Sequence, residues 1–216
     1  MKTFGSLLLM LCLSVACSAQ QRTSILLYPE YQNGVIYLNT RQQVRVPINY
    51  DAGKHCVLYR QNGDDMELVN TQSVDSIKIG NDLFCRVKNK FYQVINYSKA
   101  KLLIDWDLDR VHIGYKGAFG NVTQVRAQSV NLSLVEGYEF SENKLERDED
   151  VFKTRNHNKY MLLINGELKE FSNKKTLLKA FPNKSEAIEK IIKEEKTDFT
   201  TANDIIKLVY KILTLN

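Results

Sequence analysis

Acidic side chains at every second position make Asp105-Trp-Asp-Leu-Asp109 the densest candidate for metal chemistry in the chain. A helix–loop–helix calcium site begins with that spacing but then needs a glycine at its sixth position and a bidentate glutamate at its twelfth. Arg110 and Lys116 stand there instead. Read as part of a strand pair, the alternation puts all three carboxylates on one wet face and turns Trp106 and Leu108 inward. His55, His112 and His157 are far apart in sequence and form no metal-ligand spacing such as His-x-x-x-His. His112 alternates with Val111 and Ile113, which places it on the polar face of a strand, and His157 stands at an Asn-rich loop entry.

Other reactive patterns are missing. The sequence has no Gly-x-Ser-x-Gly elbow, no phosphate-cradling loop and no dinucleotide fingerprint. The glycines of residues 114–120 suit a turn rather than a phosphate. A glycosidase pair of carboxylates is proposable from any two of the 25 acids, so that proposal carries no information. The residue types therefore point to no catalytic, cofactor-binding or metal-ligating position. Asn96, Asn121, Asn131 and Asn183 head Asn-x-Ser/Thr sequons, read as chance matches.

Compartment comes from the start of the chain. Residues 1–19 combine Lys2, an apolar run over residues 7–13 and a small-residue stretch ending at Ala19, the layout of a secretory signal. Cleavage after Ala19 leaves Gln20 first. A second reading takes Ser14-Val-Ala-Cys17 as a lipoprotein box, which would anchor the chain through Cys17. No later segment has the ~20 apolar residues of a membrane span. Net charge is +5, with Lys and acids mixed along the chain. That is no nucleic-acid footprint. Cys56 and Cys85 stand either bridged, as an oxidising compartment allows, or as free thiols.

The elements that would position any site are mostly strands. Residues 76–115 hold five short apolar-alternating runs with a turn signal between each pair, an antiparallel meander. Before it, residues 24–28 open as a strand stopped by Pro29. Asn33-Gly34 reads as a turn into residues 35–38, and Pro47 marks an edge or strand end of residues 42–50. Asn62-Gly63 is a hairpin turn. Residues 122–134 read as an edge strand or ordered loop, and the charge-crowded residues 141–156 as a linker. Asn165-Gly166 joins a second clear hairpin, residues 159–171. Three short helices follow. The first has Ser172 as cap, Leu177, Leu178 and Phe181 on one face, and Pro182 as stop. The second has Asn183 and Glu186 at capping-box spacing and buries Ala187, Ile188, Ile191 and Ile192. The third opens on Thr201 and Asp204 at the same spacing and presents Ile205, Ile206, Val209, Ile212 and Leu213.

The expected class is α+β. An antiparallel β-rich domain over residues 20–140, a sandwich or partly closed barrel, is followed by the linker and by a β-hairpin plus three-helix unit over residues 157–216. Tyrosines at 28, 31, 37, 50, 59, 92, 97 and 115 suit both strands and contact surfaces.

Leu27-Tyr-Pro-Glu-Tyr31, Gly34-Val-Ile-Tyr37, Pro47-Ile-Asn-Tyr50, Val74-Asp-Ser-Ile-Lys-Ile-Gly80, Phe91-Tyr-Gln-Val94, Gly117-Ala-Phe-Gly120 and Lys175-Thr-Leu-Leu-Lys-Ala-Phe-Pro182 together resemble a group of exported Bacteroidota proteins without an assigned activity. The resemblance implies export and this domain order, and gives no support to the lipid box. The reading that follows is a non-catalytic cell-envelope or secreted protein that presents a binding or assembly surface, with an envelope protein or a surface glycan as partner. The alternative is a hydrolase or small-molecule site between the β-domain and the helical tail.

Overall fold

The structure is a computed structural model and describes residues 22–116, 121–123 and 150–215. The signal-like residues 1–19 with Cys17, most of the 122–134 stretch and residues 141–149 lie outside them.

The described chain is α+β and dominated by one antiparallel sheet. Its strands are β1 (Gln32–Leu38), β2 (Gln43–Asp51), β3 (Cys56–Gln61), β4 (Asp64–Glu67), β5 (Val74–Ile79), β6 (Asp82–Val87), β7 (Lys90–Asn96), β8 (Ala100–Asp105), β9 (Leu108–Lys116), β10 (Val122–Thr123), β11 (Asp150–Asn156), β12 (Lys159–Ile164) and β13 (Glu167–Phe171). Ten of them form the order β13-β12-β8-β7-β6-β5-β1-β2-β3-β4, and β10-β9-β11 form a small second sheet. Helices α1 (Lys174–Ala180), α2 (Ser185–Glu194) and α3 (Ala202–Thr214) close the chain.

Register explains the core. Ile36, Ile77, Phe84, Gln93, Ile104, Tyr160 and Phe171 are directly paired from strand to strand, a continuous row across seven strands. Every member is buried. The face is covered in two ways. On the β1–β7 side the sheet rolls onto itself: Tyr50 on β2 stacks on Phe84 on β6 with ring centroids 5.3 Å apart. Three strand spacings would separate them by about 14 Å in a flat sheet. On the β8–β13 side the helices cover it. Leu177 of α1, Ile188 and Ile192 of α2, and Ile205, Leu208, Val209 and Ile212 of α3 share one buried cluster with Leu102, Ile104, Tyr160 and Leu162. The sheet stays open, with β4 and β13 as its edges, so no barrel closes.

Several local expectations change. Asn33-Gly34 is no turn but lies inside β1. A Cβ on Gly34 would fall 2.6 Å from the Ile48 side chain and 2.8 Å from the Lys78 carbonyl, so the glycine serves close strand approach. Asn62-Gly63 and Asn165-Gly166 do turn, with φ of 55° and 93° and of 50° and 80°. Pro47 pairs only with Asn33 of β1, because β3 begins its pairing at Ile48; it is locally at an edge. Residues 24–28 form no regular strand. They contribute the single bridge Leu26–Asp51 beside β2.

The hairpin β12–β13 extends the main sheet through β8. Of the expected linker, Asp150–Asn156 is strand β11, because β9 supplies a full antiparallel partner. The helix caps move as well. Asn173, not Ser172, caps α1: Thr176 N–H donates to Asn173 Oδ1 at 3.0 Å, and Asn173 N–H donates to Thr176 Oγ1 at 3.1 Å. Neither Asn183 nor Thr201 makes a side-chain cap: Asn183 sits in a 3₁₀ turn, and Asp204 accepts the Asp198 N–H instead. Ala187 is exposed. Cys56 and Cys85 are free thiols, on strands β3 and β6 with three strands between them.

Asp51 anchors the N-terminal segment. Its buried carboxylate accepts from Ser24 Oγ at 2.5 Å and from the backbone N–H groups of Ile25, Gly53 and Lys54 at 2.9–3.0 Å. Burial alone would raise its pKa, but these hydrogen bonds outweigh it and hold the carboxyl below its ordinary value. The stability it contributes is present above the unfolded carboxyl pKa of about 3.9 and is lost as pH falls through the folded value. Asp51→Ala is expected to cost about 2–4 kcal/mol in urea unfolding at pH 7, because three N–H groups lose their acceptor. The gap to the parent should narrow below pH ~3.9; a gap constant down to pH 3 contradicts the assignment.

Tyr160 Oη is buried and makes no hydrogen bond of normal geometry, although the Asn158 and Asn156 side chains lie near enough to offset part of the rise in its pKa that burial causes. Tyr160→Phe keeps the ring stacked on Phe171 and removes an unsatisfied hydroxyl. Thermal melting should place it within about 0.5 kcal/mol of the parent, or above it. A loss beyond about 1 kcal/mol would show that the hydroxyl is satisfied after all.

Candidate functional site

β8 runs into β9, and β11 runs into β12, so the two pairings form one long ribbon with a bend in it. The last pair inside the main sheet is Asp105–Lys159, and the first pair beyond it is Leu108–Asn156. Trp106, Asp107, His157 and Asn158 occupy the bend. Backbone polarity is satisfied there locally. Asp107 N–H donates to Asn158 Oδ1 at 2.8 Å, His157 N–H to the Asp107 carbonyl at 2.8 Å, and Leu108 N–H to the Ala52 carbonyl at 3.0 Å. Past the bend β9 and β11 leave the main sheet as an arm, with the short β10 paired to the end of β9.

The three alternating carboxylates do not share a wet face. Asp105 is buried, 7 % exposed, and pairs with Lys90 at 3.1 Å. Asp107 lies 3.3 Å from Arg22 and 3.4 Å from His55. Asp109 takes both Arg155 nitrogens, at 3.3 and 3.1 Å, and lies 3.4 Å from His157. The Arg155 guanidinium holds the Asp109 carboxyl below its ordinary pKa. The physical reason for the difference is the bend, which turns successive side chains toward different neighbours. Trp106 and Leu108 do point inward, as the alternation implies, and touch the buried clusters.

The histidines remain separate. His55 sits in the turn after β2 with φ of 57°. Burial lowers its pKa, Asp107 pulls it partly back, and Arg22, which contacts its Nε2, lowers it again; the ring is neutral at pH 7. Cys56 follows it, but burial and then Glu67 push that thiol up to about 12. Only about one thiol in 10⁵ is ionised at pH 7 at such a value, so this His–Cys neighbourhood offers no thiolate. His112 lies on the arm, edge-on to Tyr115 and Phe152 at 4.8 and 5.5 Å and 3.3 Å from Asp150. Arg110 lies over the Phe152 ring at 4.9 Å.

What the bend does build is a cleft of about 690 Å³ between the arm root and the start of α3. Leu27, Trp106 and Leu108 make its floor, and Lys153, Arg155, Asn156 and His157 one wall. Thr200, Thr201, Ala202 and Asn203 make the other. Asn156 Nδ2 donates to the Thr200 carbonyl at 2.6 Å, tying the walls together. No aspartate or glutamate is among the lining residues, whereas two are permanent cations and one is a histidine. Asp109 accepts from the Arg155 guanidinium and lies 3.4 Å from His157. Among the described residues no carboxylate pairs with Lys153. The N–H groups in the first turn of α3 also face no side-chain cap from Thr201. Such a site binds negative charge against an apolar floor.

None of the wall residues was singled out by the sequence as functional. Lys153, Arg155 and Asn156 fell in the expected linker, Thr201 opened an expected cap, and Thr200 fell in no assigned element. The one usable signal was the β-branched and aromatic content of Val151, Phe152 and Thr154, which favours a strand. No described helix is long and apolar enough to cross a membrane. No family model, curated protein or solved structure matches this chain.

Proposed function

We propose that this is an exported, non-catalytic protein of the bacterial envelope or secreted space, and that it works by presenting a binding surface. The cleft at the root of the arm is that surface. The observation that carries the reading is its lining: bases without an acid, above a floor that includes Trp106. The signal-like residues 1–19 and the resemblance to exported Bacteroidota proteins support the compartment. A hydrolytic site in the same cleft is the competing reading, since that cleft lies between the sheet and the helical tail.

One experiment separates them. A photoreactive residue at Thr154, on the arm wall, should label an envelope component in intact cells, and one at Lys190, on the exposed face of α2, should not. Equal labelling from both positions contradicts the proposal. So does turnover of an ester, peptide or glycoside panel that Trp106→Ala abolishes. Intact mass of the mature chain checks export: a start at Gln20 fits a secreted form and acylated Cys17 an anchored one, while a retained Met1 rejects both.

A further inference from the structure

The cleft has two chemically distinct ends. The floor is aliphatic and aromatic, and its Trp106 is already fixed by its own hydrogen bond, so its ring face is available rather than its N–H. Indole Nε1–H donates to Gln93 Oε1 at 2.8 Å. The arm wall carries positive charge. Of its bases, Arg155 and His157 lean on Asp109, which leaves Lys153 as the uncompensated cation among the described residues. With no acidic lining, a cationic head would meet only like charge, and a neutral ligand would leave the Lys153 charge unanswered. The volume of about 690 Å³ suits a small molecule rather than a folded partner. On the facing wall Thr200 N–H and Oγ1–H both donate to Asp198 Oδ1, at 2.8 and 2.7 Å, so the donors left there are the N–H groups at the start of α3, which Thr201 does not cap.

We infer that the cleft takes an amphipathic anion, with a carboxylate or phosphate head at Lys153 and Arg155 and an apolar body over Leu27, Trp106 and Leu108. This rests on the cleft being the binding surface, and it names the ligand class. The body needs no polar groups, because the floor offers none.

The chain has a single tryptophan, so intrinsic emission reports the floor directly. The whole mature chain is titrated, below micelle-forming concentrations, with decanoate, decyl phosphate, decyl maltoside and decyltrimethylammonium. A saturable change in Trp106 emission is expected with decanoate or decyl phosphate, and whichever binds tighter identifies the head. The neutral and cationic probes should bind about tenfold more weakly or worse. Lys153→Glu should weaken the anions by a similar factor, and Thr200→Glu on the opposite wall should do the same. Melting curves confirm that both variants fold, since both positions are exposed. Equal response to all four probes, or no saturable response to any, overturns the inference. If labelling at Thr154 persists in that case, the cleft binds something of another class; if labelling is also absent, the binding reading falls with it.

Discussion

One partly buried hydrogen bond ties the bend of the ribbon to the middle of the main sheet. Gln93 is the one polar side chain in a row that is otherwise Ile, Phe and Tyr, and it is 6 % exposed. A buried amide costs on the order of 1–3 kcal/mol when unpaired. Trp106 satisfies it from across the bend at 2.8 Å, and the indole body then packs against both buried clusters. The amide thereby fixes the indole, and the indole fixes where β8 ends and β9 begins. Everything peripheral follows from that point, including the direction of the arm and the floor of the cleft.

Charge reinforces the same geometry. Three aspartates at alternate positions on a straight strand would crowd one face and repel. Here each meets its own base: Lys90 from β7, Arg22 from the N-terminal segment, and Arg155 from β11. These partners lie in different directions, so the bent ribbon is the arrangement in which all three are compensated. Asp109 has a second effect. By sitting behind Arg155 and His157 it orders that wall without entering the cleft, so the lining remains free of acid.

Much of this was legible in one sequence, and the misses share a cause. Strand runs and the Asn62-Gly63 and Asn165-Gly166 turns are local properties: alternation and tolerance of positive φ act within a few residues. Gly34 failed as a turn because its reason is the Ile48 side chain on a neighbouring strand. Asp105 failed as a wet residue because Lys90 comes from β7. Residues 150–156 read as a linker because the strand that pairs them lies some 40 residues earlier, and charge density outweighed the local strand propensity of Val151, Phe152 and Thr154. The helices were found by their apolar spacing, yet none of the three expected side-chain caps forms: Asn173 caps in place of Ser172, the turn at Pro182 displaces the second start, and Asp204 accepts the Asp198 N–H. The cleft was the least legible of all. Its lining comes from positions 27, 106–108, 153–157 and 200–203, which only the folded ribbon brings together.

The placement of that cleft has an energetic logic. A ribbon that bends out of a sheet exposes the inner-face residues on either side of the bend, and Leu27, Trp106 and Leu108 are only partly covered for that reason. Neither wall residue closes the gap: Ala202 is buried in the helix cluster, where a larger side chain would overpack, and Thr200 is held by its two hydrogen bonds to Asp198. Opposite them, Lys153 has no carboxylate partner among the described residues. The combination left open, apolar below and cationic at the side, is the one that the proposed amphipathic anion would complete.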